Sequence, residues 1–360
     1  MKVALVYDRV NKWGGAERVL MALHEIFSDA PLYTSVYSPA KAAWAKIFPK
    51  VIPSFLNKIP LFRERHELLG TLTPLAFESF DFSSYDVVIS VTSEAAKGII
   101  TRPGTHHICY CLTPTRYLWS HHQLYFRNKF LKFFSKPLVS YLRNWDKIAA
   151  QRPDEIVAIS RAVRERIKNY YGRDAKVIYP PVEIDEFTDG EEAKKKFFLV
   201  AGRLVPYKRV DLAVNAFNKL GYPLLVVGTG SEERKIRRLA KENIKFVGEV
   251  SDQKLATYYR EAAALIVPQE EDFGIVSLEA QAAGTPVIAY HKGGSLDTVI
   301  NGKTGIFFEK QTVTSLTKAV KSFTKMKFEK RDLLTNATRF SKERFKKEFV
   351  NLISKNVTLE

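Results

Sequence analysis

Cysteine is nearly missing from this chain. Its 360 residues hold only Cys109 and Cys111, two positions apart. That argues against a disulfide framework and fits a reducing, cytosolic setting. No run of about 18 apolar residues occurs, so no transmembrane helix is expected. Residues 1–7 are too short for a secretory signal and lack a small-residue cleavage site. No Asp-x-Asp pair is present, so a carboxylate-held divalent metal at a diphosphate is not expected; the reading is no metal and no cofactor. Gly-x-Gly-x-x-Gly is missing too. Gly14-Gly15 has the wrong spacing, and Gly228-Thr229-Gly230 meets Glu233 where the third glycine belongs. This counts against a dinucleotide-binding dehydrogenase.

Acidic residues are the scarcer charge, 39 against 56 Lys+Arg, for a net charge of +17. Residues 1–180 carry 26 basic and 15 acidic side chains, so the excess concentrates in the first half. Such a balance favours an anionic partner: nucleic acid, a phospholipid surface or a phosphorylated substrate. An ordinary solvated surface gives the same numbers. No nucleic-acid reader motif accompanies the charge, so no nucleic-acid partner is expected.

The length points to two domains. Short β-rich apolar runs alternate with amphipathic helical patterns, which predicts α/β architecture with parallel sheets covered by helices on both faces. Strands are predicted over 2–7, 30–37, 86–92, 107–112 and 155–160. A second series covers 197–203, 223–229, 244–249, 263–268 and 286–290. Predicted helices include 16–27, 161–171, 207–220, 231–242, 252–262 and 274–283. Residues 179–190, proline-containing and then acidic, read as a linker. The expected layout is a domain over 1–180, a second over 181–335, and a terminal segment over 336–360. Phe345, Phe349, Leu352 and Ile353 share one face of a helix in that segment, with the first domain as the candidate packing surface. Two doubly wound domains facing across a cleft would bind ligands at the carboxyl ends of their strands.

Five constellations stand out. Trp13-Gly14-Gly15-Ala16-Glu17 follows strand one and opens helix one, where glycines admit a ligand close to the backbone; a tight turn explains them equally well. Gly202-Arg203-Leu-Val-Pro-Tyr-Lys208-Arg209 lies where a strand gives way to a helix, and Arg203 and Lys208 there can clamp a diphosphate. Cations are disfavoured at a helix start, so an anion between them and the helix accounts for the placement better than chance does. Glu271-Asp-Phe273-Gly274-Ile275-Val-Ser-Leu-Glu279 puts one acid in a strand-end loop and a second inside the following helix. Both can accept hydrogen bonds from sugar or ribose hydroxyls. His107-Ile-Cys109-Tyr-Cys111-Leu112-Thr113-Pro-Thr-Arg116-Tyr117 is a strand and an aromatic loop. The nearby histidines lack a regular zinc spacing, so ordinary core cysteines are expected. Residues 126–152 add seven basic side chains against Asp146 alone, interleaved with aromatics. That segment suits an anionic membrane surface or, equally, a helix pair with a wet basic face.

On Glu271-x7-Glu279, Gly202-Arg203…Lys208 and Gly14-Gly15, the chain resembles the retaining glycosyltransferases of family four, which have the GT-B fold. Within that family it is closest to the mannosyltransferase-like branch that builds O-antigen and other surface polysaccharides. The stretches Leu-Val-Pro-Tyr-Lys-Arg-Val-Asp, Lys-Val-Ile-Tyr-Pro-Pro-Val and Glu-Glu-Asp-Phe-Gly-Ile-Val carry the closer likeness. The resemblance implies metal-independent transfer of a sugar from a nucleotide donor, GDP-mannose or a UDP-sugar, to a lipid-linked or glycan acceptor. The expected location is cytoplasmic from the cysteine usage, with contact on the membrane's cytoplasmic face through residues 126–152 as the alternative to a wet basic helix face.

The resemblance also assigns roles. Glu279 would hold the ribose, and Arg203 and Lys208 the diphosphate. Glu271, with the amides around Phe273, Gly274 and Ile275, would hold the donor sugar. Gly14 and Gly15 would border the donor, and Glu271, Arg203 and Lys208 would be the catalytic set. Asp8, Thr113, Arg116 and Tyr117 would lie on the acceptor side. One position departs: Leu112 stands where close relatives usually carry the active-site histidine. That keeps a second reading in view, a degenerate GT-B protein that binds nucleotide-sugar without turnover, with His121 or His122 as a conceivable substitute.

Overall fold

The computed structural model describes residues 1–59, 71–120, 136–188 and 195–356. The chain divides into two units, Met1–Tyr179 with Phe345–Glu360, and Pro180–Arg344.

The first unit is built on β1 (Val3–Tyr7), β2 (Leu32–Thr34), β3 (Val51–Pro53), β4 (Val87–Thr92), β5 (His106–Cys111), β6 (Glu155–Ala158) and β7 (Lys176–Val177). They pair in parallel in the order β3-β2-β1-β4-β5-β6-β7. All of β1 and β4 is buried, as a strand covered on both faces must be. The helices are α1 (Gly15–Ile26), α2 (Thr73–Glu78), α3 (Lys136–Ala149) and α4 (Arg161–Tyr171). Phe345 and Phe349 are buried, with ring centroids 5.8 and 6.0 Å from that of Tyr110. The terminal apolar face therefore packs on the middle of the first sheet.

The second unit holds β8 (Phe197–Ala201), β9 (Leu224–Val227), β10 (Ile244–Gly248), β11 (Ala262–Val267), β12 (Val287–Tyr290) and β13 (Gly305–Phe308). Their order is β10-β9-β8-β11-β12-β13, again parallel. Around them lie α5 (Asp185–Thr188), α6 (Val210–Leu220), α7 (Glu233–Leu239), α8 (Asp252–Glu261), α9 (Ile275–Ala282), α10 (Ser295–Thr298), α11 (Val313–Phe323) and α12 (Lys330–Thr338). The last helix, α13 (Lys342–Asn356), belongs to the first unit from Phe345 onward.

The strand order reverses direction between β1 and β4 in one sheet and between β8 and β11 in the other. These are the two switch points where a doubly wound sheet leaves a crevice at its carboxyl edge. The loops after β1, β8 and β11 hold Gly14, Arg203, Lys208 and Glu271.

One predicted helix is broken. Instead of a continuous 207–220, a 3₁₀ turn spans Pro206–Lys208, Arg209 takes a left-handed backbone (φ 50°), and α6 starts at Val210. Pro206 sets the turn, and the left-handed residue redirects the chain before the helix. The basic side chains thus precede the helix instead of lying on it.

Candidate functional site

In the second unit the glycines set the backbone first. A Cβ on Gly228 would lie 2.1 Å from the Gly202 carbonyl oxygen, and one on Gly230 would lie 2.3 Å from that of Leu204. The Gly202 and Leu204 amides bond to the Val227 and Thr229 carbonyls at 3.0 and 2.8 Å. Gly228 and Gly230 therefore exist to let the turn after β8 lie flat on the turn after β9. A second brace is Gly293-Gly294, which sequence reasoning missed. A Cβ on Gly294 would meet the Phe273 backbone at 2.4 Å, and the Gly294 amide donates to the Glu271 carbonyl at 2.7 Å. The signal was available: two glycines between a strand and a helix, as at Gly14-Gly15.

On this frame two predicted constellations become one. Lys208 Nζ donates to Glu271 Oε1 at 2.7 Å, with both side chains mostly buried. Gln269 Nε2 bonds to the same oxygen. Glu271 already offsets part of the Lys208 charge within the protein. An ammonium has three donors, so Lys208 can hold Glu271 and still reach a phosphate. Tyr207 lies between the two basic residues. Its hydroxyl accepts from Arg203 Nη2 at 2.8 Å, and its ring lies 5.7 Å below Lys208 Nζ. Arg203 is exposed.

At the head of α9, Gly274 adopts φ 101°, and Phe273 is buried against Phe340. The Ser277 amide donates to the Gly274 carbonyl at 3.0 Å, and the amides that open a helix at Ile275 and Val276 favour an anion or a hydroxyl. The Ser277 and Ser295 hydroxyls are buried there without a partner, and Ser277 Oγ is 3.6 Å from where a Gly274 Cβ would be. Buried polar groups rarely stay unpaired, so these hydroxyls have capacity for a further polar partner. Glu279 is 3% exposed and accepts from the Tyr259 hydroxyl at 3.0 Å. The two acids therefore have different neighbours: Glu271 a cation and an amide, Glu279 a phenol.

In the first unit, Gly14 opens α1, and a Cβ on it would come within 3.2 Å of Glu17 Oε2. Glu17 is buried and accepts from Tyr7 Oη at 2.7 Å; burial, then the Glu17 charge and this bond, drive the Tyr7 phenol's pKa up. Asp8 has a structural task. Its carboxylate accepts from Thr92 Oγ1 at 2.8 Å and from the amides of Ser93, Glu94 and Ala96 at 2.7, 3.0 and 2.9 Å. Burial and then the Glu94 charge raise its pKa despite those amides. Arg9 pairs with Glu94 at 2.6 Å.

Thr113 is buried, and Arg116 and Tyr117 are half-buried in the loop after β5. Burial, then Glu94, Asp146 and Asp8, raise the Tyr117 pKa, so this loop and the Asp8 turn are neighbours. Asp146 fastens the loop. It pairs with buried Lys97 at 2.6 Å and accepts from Thr115, Trp119 and Tyr171 at 3.0, 2.7 and 2.8 Å. Cys109 and Cys111 are buried and form no disulfide. His107 Nε2 bonds to Ser90 Oγ at 2.8 Å inside the sheet. Among the described residues no group of three or more His, Cys, Asp and Glu is arranged as a metal site. His121, His122 and residues 126–135 lie outside the described residues.

Comparison with known proteins gives the same reading for each unit. Residues 13–186 match the family Glycosyltransferase Family 4, and residues 182–340 match Glycosyl transferases group 1. The chain belongs to the family four glycosyltransferases. It is 28% identical over 206 residues to an uncharacterised glycosyltransferase of Methanocaldococcus jannaschii, covering 56% of this chain and 58% of that one. It is 30% identical over 198 residues to the GDP-mannose-dependent alpha-(1-6)-phosphatidylinositol monomannoside mannosyltransferase of Mycobacterium tuberculosis, covering 46% of this chain and 51% of that one. The chain thus spans about half the length of the curated relatives it matches. Among solved structures, Anabaena HepE in complex with UDP superimposes with a TM-score of 0.72 at 18% identity, over 99% of this chain and 100% of that one. The apo lipopolysaccharide outer core galactosyltransferase WaaB gives 0.70 at 21%, over 99% and 100%. At these identities the likeness shows the fold, which is GT-B.

Proposed function

We propose that this family member is a retaining, metal-independent glycosyltransferase. It moves a sugar, mannose favoured, from a nucleotide donor to a lipid-linked or polysaccharide acceptor in surface glycan synthesis. The carrying observation is the Lys208–Glu271 pair, which joins the turn after β8 to the loop before α9 across a switch point. The reaction breaks the bond from the anomeric carbon to the phosphate oxygen and forms one to the acceptor hydroxyl oxygen on the same face. The acceptor proton passes to the leaving phosphate. Negative charge grows on the diphosphate, and Lys208 and Arg203 offset it from fixed positions. Glu271 and the amides at Gly274 and Ile275 orient the donor sugar. Glu279, held by Tyr259, meets the ribose, and Gly14 and Gly15 admit the donor close to the backbone. Mannose is favoured because a relative's name specifies GDP-mannose.

Leu112 supports the second reading, a binder without turnover. It is half-buried at the end of β5, its amide donates to the Thr92 carbonyl at 2.8 Å, and its side chain offers no hydrogen bond. Peripheral membrane association is supported by α3. Leu138, Tyr141 and Ile148 are exposed there, and Lys136 and Lys147 are exposed on the same helix. No helix among the described residues is long and apolar enough to cross a membrane.

Thermal shifts with GDP, UDP and their sugars test the donor assignment, because a ligand that binds the folded state raises its melting temperature. Lys208→Ala and Arg203→Ala should each weaken diphosphate binding about tenfold, the scale of one charge-assisted contact. Unchanged affinity in both variants sinks the assignment. Donor hydrolysis or transfer by the wild type supports the enzyme. Tight binding without turnover, with turnover gained in Leu112→His, supports the binder.

A further inference from the structure

We infer that Trp13 and Trp44 form an aromatic platform for a hexopyranose ring of the acceptor. The inference rests on the transferase reading and adds a place and a chemistry for the sugar that receives.

Trp13 is 50% exposed, in the loop that leaves the carboxyl end of β1. Trp44 lies in the short turn Ala43–Ile47, which follows β2. The two indoles are 6.0 Å apart between centroids and tilted by 58°. Trp44 Nε1 donates to the Lys12 carbonyl at 2.7 Å, which pins the residue just before Trp13. Behind Trp44 the contacts continue inward: its ring meets Phe48 edge-on at 6.2 Å, and Phe48 lies 4.8 Å from His24 of α1. The exposed indole therefore stands on a braced stack of rings anchored in the first unit.

A half-exposed indole gives up stabilisation of roughly 25 cal/mol for every Å² left in water. A pyranose presents a face of C–H groups with hydroxyls around its rim, which suits an indole plane. Tryptophan has only two side-chain torsions, so little freedom is lost on contact. The site also lies where this fold gathers ligands, at the carboxyl edge beside Gly14 and one strand from the β1–β4 switch. A membrane contact is the competing occupant. The apolar stripe suited to it runs along α3, whereas Trp13 is a single indole between Lys12 and Gly14 on a loop.

The test uses the full chain and its Trp13→Ala and Trp13→Phe variants. Saturation-transfer NMR and tryptophan fluorescence follow titration with mannotriose and with the methyl glycosides of mannose, glucose, galactose and N-acetylglucosamine. GDP and UDP are titrated separately. The expected result is saturable binding of at least one saccharide, weakened about tenfold in Trp13→Ala and largely kept in Trp13→Phe. Nucleotide affinity should be equal in all three. Equal saccharide affinity in wild type and Trp13→Ala overturns the platform, as does no saccharide binding by the wild type. Loss of anionic-vesicle binding in Trp13→Ala, with saccharide binding unchanged, assigns the indole to a membrane and overturns it too. If saccharides bind as expected but neither nucleotide binds any of the three proteins, the platform stands and the transferase reading falls.

Discussion

Glu271 and Glu279 differ in what they can do because they differ in company. Lys208 and Gln269 hold the first, which places its carboxylate against a cation that can also meet a phosphate. The second is tied to a buried phenol and lies mostly out of water. The two acids have separate partners, a cation and an amide for one and a phenol for the other. The residue with the sharpest pH signature lies elsewhere. Burial, and then the nearby His106 and Arg152 charges, push His107 down to about 3 from 6.5. Its folded pKa is depressed, so between about pH 6.5 and 3 the unfolded chain takes up a proton that the folded chain refuses. Stability from this group is therefore full above pH 6.5 and falls as pH drops, with a slope reaching about 1.4 kcal/mol per unit. Urea midpoints at pH 7 and pH 5 should fall farther for wild type than for His107→Gln, which has no proton to gain. Equal falls would show that His107 does not govern the acid limb.

At the scale of elements, the loops depend on glycines for their approach. Gly228 combines φ 120° with a Cβ position 2.1 Å from a carbonyl oxygen, so alanine there must displace the turn that carries Arg203. Gly221, at φ 72° with open space around it, isolates the backbone cost alone. Gly221→Ala should lose about 1 kcal/mol, and Gly228→Ala clearly more, about 2 kcal/mol or above, in chemical unfolding. Gly228→Ala should also weaken nucleoside diphosphate binding; equal losses and intact binding would argue against the brace. The same contrast explains what was legible beforehand. Central strands such as β4 and β11 are near-continuous apolar runs because both faces are covered, and they stand out in the sequence. The strands left unpredicted, β3, β7 and β13, are all sheet edges. β7 is only two residues long, and no residue of β3 is fully buried. Spacing alone singled out Glu271, Arg203 and Lys208 as candidates. It could not find Gln269, Tyr207, Ser277 or Ser295, whose roles come from neighbours distant in sequence. Nor could it show that Asp8 is held by Thr92, Ser93, Glu94 and Ala96.

For the whole molecule, the +17 charge and the apolar stripe of α3 make separable contributions to membrane binding. Charge acts at a distance, and salt screens it within about 8 Å at physiological ionic strength. Insertion of Leu138, Tyr141 and Ile148 is a contact effect that salt does not screen. If the molecule sits on an anionic surface through α3, vesicles containing phosphatidylglycerol should sediment it at low salt, and a fraction should stay bound in 0.5 M salt. Replacing the three apolar residues by serine leaves the net charge unchanged. The triple variant should keep low-salt binding and lose the salt-resistant fraction, since each buried apolar side chain contributes about 1.5–3 kcal/mol. Complete release of the wild type by salt would mean that charge alone brings the protein to the surface. A salt-resistant fraction undiminished in the triple variant would place the inserting segment outside α3.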